Sequence, residues 1–194
     1  MARPGRDAAQ VLREALHRRS VEAACRALEP DDVACEGVLY DAPGTRHDWS
    51  LRTRYMHANY LMVGYDPLGS SAWTEFVLDG RTYASVGTFH ETLKLREDDP
   101  RRGELALGRA GIRRVKPARR GSFEYMGAEI AVDSVEHGIL IARATEAKVL
   151  AHASVRQALL ASERRWLFIG EGVGALGRYM PFALMVMRVL LARR

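Results

Sequence analysis

Apolar residues recur every three to four positions along several stretches of this chain, which is the spacing of amphipathic helices. The pattern predicts one or two helices over residues 7–28, interrupted near Arg19 and Ser20. It also predicts a short helix over residues 103–109, and a long helix over residues 135–152 that begins after Ser134, since Ser is a good N-cap. A further helix is predicted after Ser154, and the apolar run at residues 180–187 is predicted to be a core segment.

Shorter apolar runs separated by turn residues predict strands. Residues 75–78 and 81–84 flank an Asp79-Gly80 turn, and Ser85 then starts a helix that carries Phe89 and Leu93 towards the core. A second hairpin is predicted over residues 121–132, a strand over 166–169, and a short strand at 37–40 within an irregular connection. Residues 51–63 fit a helix or a strand. The predicted fold is α+β, a mostly helical single domain with one or two small β-hairpins.

Length and composition narrow the class of protein. A chain of 194 residues with 47% apolar residues suits one domain with a substantial core. The net charge of +5 favours an anionic partner such as a phosphate, a nucleotide or nucleic acid. Two cysteines, an N-terminus that does not resemble a signal peptide and no apolar run near the ~20 residues of a membrane span predict a reduced, cytoplasmic protein without membrane contact.

The polar side of the helix after Ser85 carries His90, Glu91 and Lys94. A carboxylate beside an anomeric carbon can orient a water molecule or stabilise an oxocarbenium-like transition state. The alternative is a glutamate paired with a surface arginine. His137, with Glu136, is interpreted as a solvated polar turn at a helix start rather than as a catalytic residue. No histidine has metal-ligand spacing, so we expect neither metal nor cofactor.

Glycines 172, 174 and 177 form a literal G-x-G-x-x-G. A dinucleotide fold needs a second parallel strand and an acidic residue about 20 positions on, and only 194 − 177 = 17 residues follow. Gly172 and Gly174 are instead predicted to let backbone amides approach an anion or a ribose.

Two groups of residues together resemble the NADAR family, whose members act on the N-glycosidic bond of ribosylated or ADP-ribosylated bases. The first is the Asp79-Gly80 turn followed by Tyr83, Phe89 and Lys94. The second is the order Arg-Ala, Lys148, His-Ala, Val-Arg and Leu-Leu-Ala-Ser over residues 143–162. The resemblance runs from about residue 55 to the C-terminus. We therefore divide the chain into a helical N-terminal extension, residues 1–50, and a NADAR-like domain, residues 51–194.

The resemblance implies an N-glycosidase that recognises a ribose-5-phosphate or ADP-ribose group on a small molecule or on modified nucleic acid. It implies that Lys94, Arg109 and Lys148 bind phosphate and that Asn59 and Tyr60 hold the ribose or base. Arg178, which stands where the family often has Asn, joins this set. The family's glutamate falls on Gly87, so Glu91 would take over its task one helical turn later, beside His90.

Two alternatives remain at the level of the sequence. The chain is a non-catalytic binder of ADP-ribose, nucleotide or ADP-ribosylated nucleic acid, or its activity has moved to a specialised metabolite that carries a ribosylated ring. A carboxylate that reaches the pocket distinguishes the enzyme from the binder.

Overall fold

A computed structural model describes residues 8–28, 30, 35, 38–39, 60–63, 67–109, 116–117, 120–169 and 174–193. Within these ranges the chain forms seven helices and six short strands. In chain order they are α1 (Ala8–His17), α2 (Val21–Ala27), β1 (Tyr60–Met62), β2 (Phe76–Leu78), β3 (Arg81–Tyr83), α3 (Val86–Thr92), α4 (Arg101–Ala106), β4 (Ser122–Tyr125), β5 (Ala128–Ala131), α5 (Val135–Ala151), α6 (Ala153–Ala161), β6 (Trp166–Phe168) and α7 (Gly174–Ala192). The predicted α+β, mostly helical fold is confirmed.

The centre of the fold is the pair of helices α5 and α7. Most residues of α7 are buried, including all of residues 179–188, as expected for a helix that is mainly apolar. The two helices approach closely where the Tyr179 ring of α7 lies on Gly138 of α5, since a Cβ at that glycine would overlap the ring. The predicted core segment at residues 180–187 is thus confirmed.

Helix α7 is also long and apolar enough to cross a membrane by length and composition alone. Its most apolar 18-residue window is 72% buried inside the protein. This burial is typical of a core helix.

Both predicted hairpins form. Strands β2 and β3 pair antiparallel around Asp79 and Gly80, whose φ angles of 49° and 76° match a turn of the type I′ class. Strands β4 and β5 pair around Met126 and Gly127, with φ angles of 51° and 76°. A third pair was not predicted: β1 and β6 lie parallel, with Tyr60 opposite Trp166. The strand expected over residues 166–169 is therefore present. Residues 60–62, for which the sequence allowed a helix or a strand, form its partner strand.

Aromatic rings and one carboxylate fix the first hairpin to its neighbours. Tyr83 of β3 meets Phe89 of α3 edge to face, with ring centroids 5.1 Å apart. Asp79, at the hairpin turn, accepts hydrogen bonds from the Tyr125 hydroxyl (2.7 Å) and from Arg143 Nη2 (2.6 Å). The turn is therefore tied to β4 and α5, which holds α3 in place between them.

Three predicted boundaries were wrong. Helix α6 begins after His152, not at Ser154, because His152 has extended backbone angles and its Nε2 meets the Glu75 carbonyl at 2.6 Å. Helix α4 begins at Arg101 because the fixed φ of Pro100 suits a helix start and Asp99 Oδ1 accepts the Arg101 amide. Residues 38 and 39 lie in a turn rather than in a strand, since the Leu39 amide donates to the Cys35 carbonyl.

The N-terminal helices share the core of the rest of the chain. The predicted helix pair is confirmed, with Arg19 at φ 52° and Ser20 capping α2 at the break between them. Helix α2 packs against α5. One buried apolar cluster contains Leu12, Leu16, Val21 and Ala24 together with Ile141 and Phe182.

Candidate functional site

Helix α3 carries the candidate catalytic residues, and its start is fixed by a capping box. Ser85 Oγ accepts the Thr88 amide at 3.1 Å, while the Ser85 amide donates to Thr88 Oγ1 at 3.0 Å. Phe89 and Leu93 are buried as predicted. Because apolar residues fix one face of the helix, His90 and Glu91 come to lie at its partly covered side.

Glu91 forms an ion pair with Lys94, which lies in the turn just after the end of α3 rather than on the helix as predicted. The Lys94 Nζ lies 2.5 Å from Glu91 Oε1, and the His90 Nδ1 lies 3.8 Å from the same oxygen. The Glu91 side chain is 13% exposed and that of Lys94 is 25% exposed. The carboxylate therefore does not extend into bulk solvent, and one of its partners is the nearby Lys94.

His137, in the first turn of α5, stacks on His90. Their rings are parallel within 3° with centroids 5.6 Å apart, and Phe123 of β4 meets His137 edge to face at 4.8 Å. His137 is 3% exposed, so the interpretation of a solvated polar turn was wrong for this residue. The reason is tertiary, because the second hairpin places Phe123 over the start of α5.

A hydrogen-bonded chain links His137 to the start of α7. The Asp133 amide donates to His137 Nδ1 at 3.1 Å, and Asp133 Oδ1 accepts the Ala175 amide at 2.7 Å. Gly174 has a φ of 45°, and a Cβ there would overlap Asp133 Oδ1. The glycine therefore permits a carboxylate to approach the backbone, and in this structure that carboxylate belongs to Asp133.

Burial keeps both histidines neutral. Burial, together with the nearby His90, lowers the pKa of His137 to about 4, and Asp133 acts weakly in the opposite direction. The pKa of His90 is also lowered, first by burial and then by the Lys94 ammonium, while Glu91 and Asp133 act in the opposite direction. At neutral pH the candidate site thus combines one ion pair with two uncharged imidazoles.

Lys148 lies at the loop that covers the start of α3. It is fully buried, and its Nζ donates to the Gly69 carbonyl at 2.7 Å. The next carbonyl, of Ser70, accepts the Gly87 amide at 2.7 Å. A Cβ at Gly87 would lie 3.1 Å from Ser70 O, so the position that matches the family's glutamate is crowded by backbone.

The remaining predicted ligand residues are dispersed or lie outside the described part of the chain. Arg109 and Arg178 are exposed, and the Arg178 guanidinium lies 5.8 Å from the centre of the Tyr179 ring. Asn59 and Gly172 lie outside the described residues, and of Tyr60 only the backbone place in β1 is described. The ligand-binding roles of these residues stay predictions.

The structure therefore gathers His90, Glu91 and Lys94, as the helical spacing predicted, and adds His137 and Asp133. The second pair lies at and just before the start of α5, about forty residues away in sequence, so no spacing pattern predicts it. In the part of the chain that the structure describes, no group of three or more His, Cys, Asp or Glu residues is arranged to hold a metal ion.

Comparison with known proteins adds one similarity. No family model matches the sequence, and no curated protein matches it significantly. The NMR structure of the Escherichia coli protein YbiA is similar, with 21% sequence identity, a TM-score of 0.45 and coverage of 71% of this chain and 90% of that one.

Proposed function

We propose that this protein hydrolyses the N-glycosidic bond of a ribosylated or ADP-ribosylated base, with Glu91 as the carboxylate at the reaction centre. The observation that supports this best is the placement of Glu91, which is mostly buried, held by Lys94 and adjacent to His90. A retained acid is what an N-glycosidase needs and what a simple binder does not require.

In the proposed reaction the bond between the anomeric carbon and the base nitrogen breaks. One water molecule supplies a hydroxyl group to the anomeric carbon and a proton to the departing base, so the products are the free base and a ribose with a new hydroxyl. No electrons are exchanged with a cofactor. The Glu91 carboxylate would orient this water and stabilise the positive charge that develops on the sugar ring.

The ion pair with Lys94 suits this role. The ammonium group lies against Glu91 Oε1 and so keeps the carboxylate charged and fixed in position. The Lys94 ammonium has three donors and is partly exposed, which leaves capacity for a phosphate or sugar oxygen. In the proposal Arg109 also binds phosphate, Asn59 and Tyr60 hold the ribose or base, and the enzyme works in the cytoplasm. Lys148 is buried on the Gly69 carbonyl, so in the proposal it supports the loop beside α3 instead of binding phosphate.

The test is release of free base from a panel of substrates by the wild-type protein and by Glu91→Gln. The panel contains ADP-ribosylated guanine in DNA, small pyrimidine and pyridine nucleotides, and NAD. We expect Glu91→Gln to lower kcat by at least about 100-fold, since positioned acid–base groups contribute 10²–10⁴-fold. Glu104→Gln is the matched control, because Glu104 is exposed on α4. Equal turnover by Glu91→Gln and wild type would contradict the role of Glu91.

A second candidate, a non-catalytic binder, is favoured by the crowding at Gly87. A Cβ at this position would lie 3.1 Å from Ser70 O, so the glutamate that the family carries would crowd the backbone there. If no compound of the panel is turned over, but ADP-ribose binds saturably and Lys94→Ala weakens that binding, the protein is a binder.

A further inference from the structure

His137 carries a buried polar atom that the fold leaves without a partner. Its Nδ1 accepts the Asp133 amide, whereas its Nε2 has no hydrogen-bond partner among the described residues. Leaving a buried donor unsatisfied costs free energy, so such atoms are uncommon in folded proteins. His137 is 3% exposed, so bulk water does not supply the missing hydrogen-bond partner of Nε2.

The contact with Asp133 also decides which nitrogen carries the proton. A backbone amide can only donate, so Nδ1 must be the unprotonated, accepting nitrogen. In an uncharged imidazole the proton then lies on Nε2. The fold therefore prepares an N–H group whose orientation is set by a second hydrogen bond on the opposite side of the ring.

Another buried side chain shows the contrast. In Arg102 the Nε and Nη1 atoms also lack hydrogen-bond partners among the described residues. The Glu97 carboxylate, however, lies 3.6 Å from Arg102 Nη1 and compensates its charge. His137 has no comparable neighbour at Nε2, and its ring is parallel to His90, which adjoins Glu91.

We propose that the Nε2–H group of His137 donates a hydrogen bond to an uncharged oxygen or nitrogen of the bound substrate, on the sugar or on the base. The identity of this ligand rests on the proposed function. An uncharged acceptor fits because the nearby charges of Glu91 and Lys94 already compensate each other, and an added phosphate is better served by the partly exposed Lys94. His137 would thus be a substrate-binding residue of the site and a determinant of its specificity.

Two substitutions separate the two nitrogens of the ring. In His137→Asn the short side chain places an acceptor near the former Nδ1, so the Asp133 contact is kept and the Nε2 donor is lost. In His137→Gln the longer side chain places an amide N–H group near the former Nε2. If ligand binding needs the Nε2–H donor, His137→Gln keeps the affinity and His137→Asn lowers it. If the ring only fills space, both variants lower the affinity equally.

The experiment measures binding by calorimetry with two probes. ADP-ribose carries the sugar without a leaving base, and NAD carries both. The NAD titrations are done with Glu91→Gln in the background, so that turnover does not interfere. We expect His137→Asn to weaken binding by about 5- to 10-fold, the value of one hydrogen bond, and His137→Gln to stay within about 2-fold of the reference. In the wild-type protein, an imidazole ¹H–¹⁵N spectrum should show the Nε2-protonated form and a shift on ligand addition.

Each outcome decides the proposal. Weaker binding of both probes places the acceptor on the sugar, and weaker binding of NAD alone places it on the base. Three results would overturn it. They are equal affinities for His137→Asn and the reference, an Nε2 signal that does not change when ligand binds, and no binding of either probe. An absence of turnover with the expected binding pattern defeats the proposed hydrolysis and leaves the role of His137 intact.

Discussion

At the scale of single residues, the site depends on side chains whose surroundings differ from what their type suggests. His137 belongs to a residue type that is usually partly exposed, yet it is buried against His90 and Phe123. Gly87 stands in the first turn of a helix, where glycine is unfavourable, because the Ser70 carbonyl lies against it. Both follow from a neighbour that is distant in sequence.

The buried histidines predict that the protein loses stability in mild acid. The pKa of His137 is about 4 in the folded chain, against 6.5 for the unperturbed group. Between these values the unfolded chain binds a proton that the folded chain does not, so the free energy of unfolding falls as pH drops through the window. The stabilisation is complete above pH 6.5, and its loss by pH 4 amounts to about 2–3 kcal/mol for His137, with His90 acting in the same direction.

Urea denaturation at pH 7.5, 5.5 and 4.5 measures this dependence. His137→Gln is the control, since glutamine does not titrate while the neighbouring Glu91, Lys94 and Asp133 remain. A wild-type protein with the same pH dependence as His137→Gln would show that His137 is protonated in the folded state.

A pair of helical glycines tests the crowding at Gly87. A Cβ at Gly103 of α4 meets nothing within 4 Å, so Gly103→Ala should raise the free energy of unfolding by about 0.5–1 kcal/mol through helix propensity. At Gly87 the Cβ meets a carbonyl that is held by the Gly87 amide itself, and we expect Gly87→Ala to lower the free energy of unfolding by about 1 kcal/mol. Urea denaturation of both variants measures the two free energies of unfolding. Equal stabilisation by the two substitutions would mean that the loop at Ser70 shifts to accommodate the added Cβ.

At the scale of elements, local signals and long-range contacts have separate roles. The capping box at Ser85 and Thr88 and the positive φ angles of Asp79 and Gly80 set the ends of α3 and of the first hairpin. The relative position of the elements depends on contacts such as Asp79 with Arg143 and Tyr83 with Phe89. The site on α3 therefore relies on the packing of α5 as much as on its own helix.

The contact between α5 and α7 predicts a strongly destabilising substitution. A Cβ at Gly138 would overlap the Tyr179 ring, and both residues are buried, so Gly138→Ala should lower the free energy of unfolding by about 3 kcal/mol. In a Tyr179→Leu background the same change should cost less, because the ring that causes the overlap is gone. A double-mutant cycle by chemical denaturation measures the coupling, and additive effects would place the strain elsewhere.

At the scale of the whole molecule, the buried cluster runs from the N-terminal helices through α5 to α7. The division at residues 50 and 51 describes where the family resemblance begins. It does not correspond to a gap in the packing of the described residues, because Leu16 of α1 and Phe182 of α7 belong to one cluster. Such continuity predicts that the chain unfolds as one unit.

Leu16→Ala tests this continuity. Leu16 is 1% exposed, and truncation of a buried leucine costs about 2–5 kcal/mol. In calorimetry we expect one cooperative transition at a lower temperature, together with faster amide exchange in α5. Arg13→Ala, at a neighbouring exposed position of α1, should leave the transition nearly unchanged. A separate early transition, with the main one unaltered, would show that the extension folds independently.

Much of the secondary structure could be predicted because its causes are local. Helical spacing, the Ser20, Ser85 and Ser134 caps and two glycine turns are readable from neighbouring residues. Boundaries that depend on a remote partner were missed, as with His152, whose ring meets Glu75. The parallel pairing of β1 with β6 was missed for the same reason, since its two strands are separated by most of the chain.

The sequence by itself determined that this is a helical α+β chain with a basic charge, two hairpins, and a capped helix that carries His90 and Glu91 beside Lys94. Those features follow from periodicity and turn chemistry, which act over a few residues. Tertiary structure alone decided that Glu91 is shielded from solvent, that Gly87 is crowded by the Ser70 carbonyl, and that His137 stacks on His90 with an Nε2 that has no partner among the described residues. These depend on which surfaces pack together, because burial and hydrogen-bond partners are properties of neighbours in space rather than along the chain.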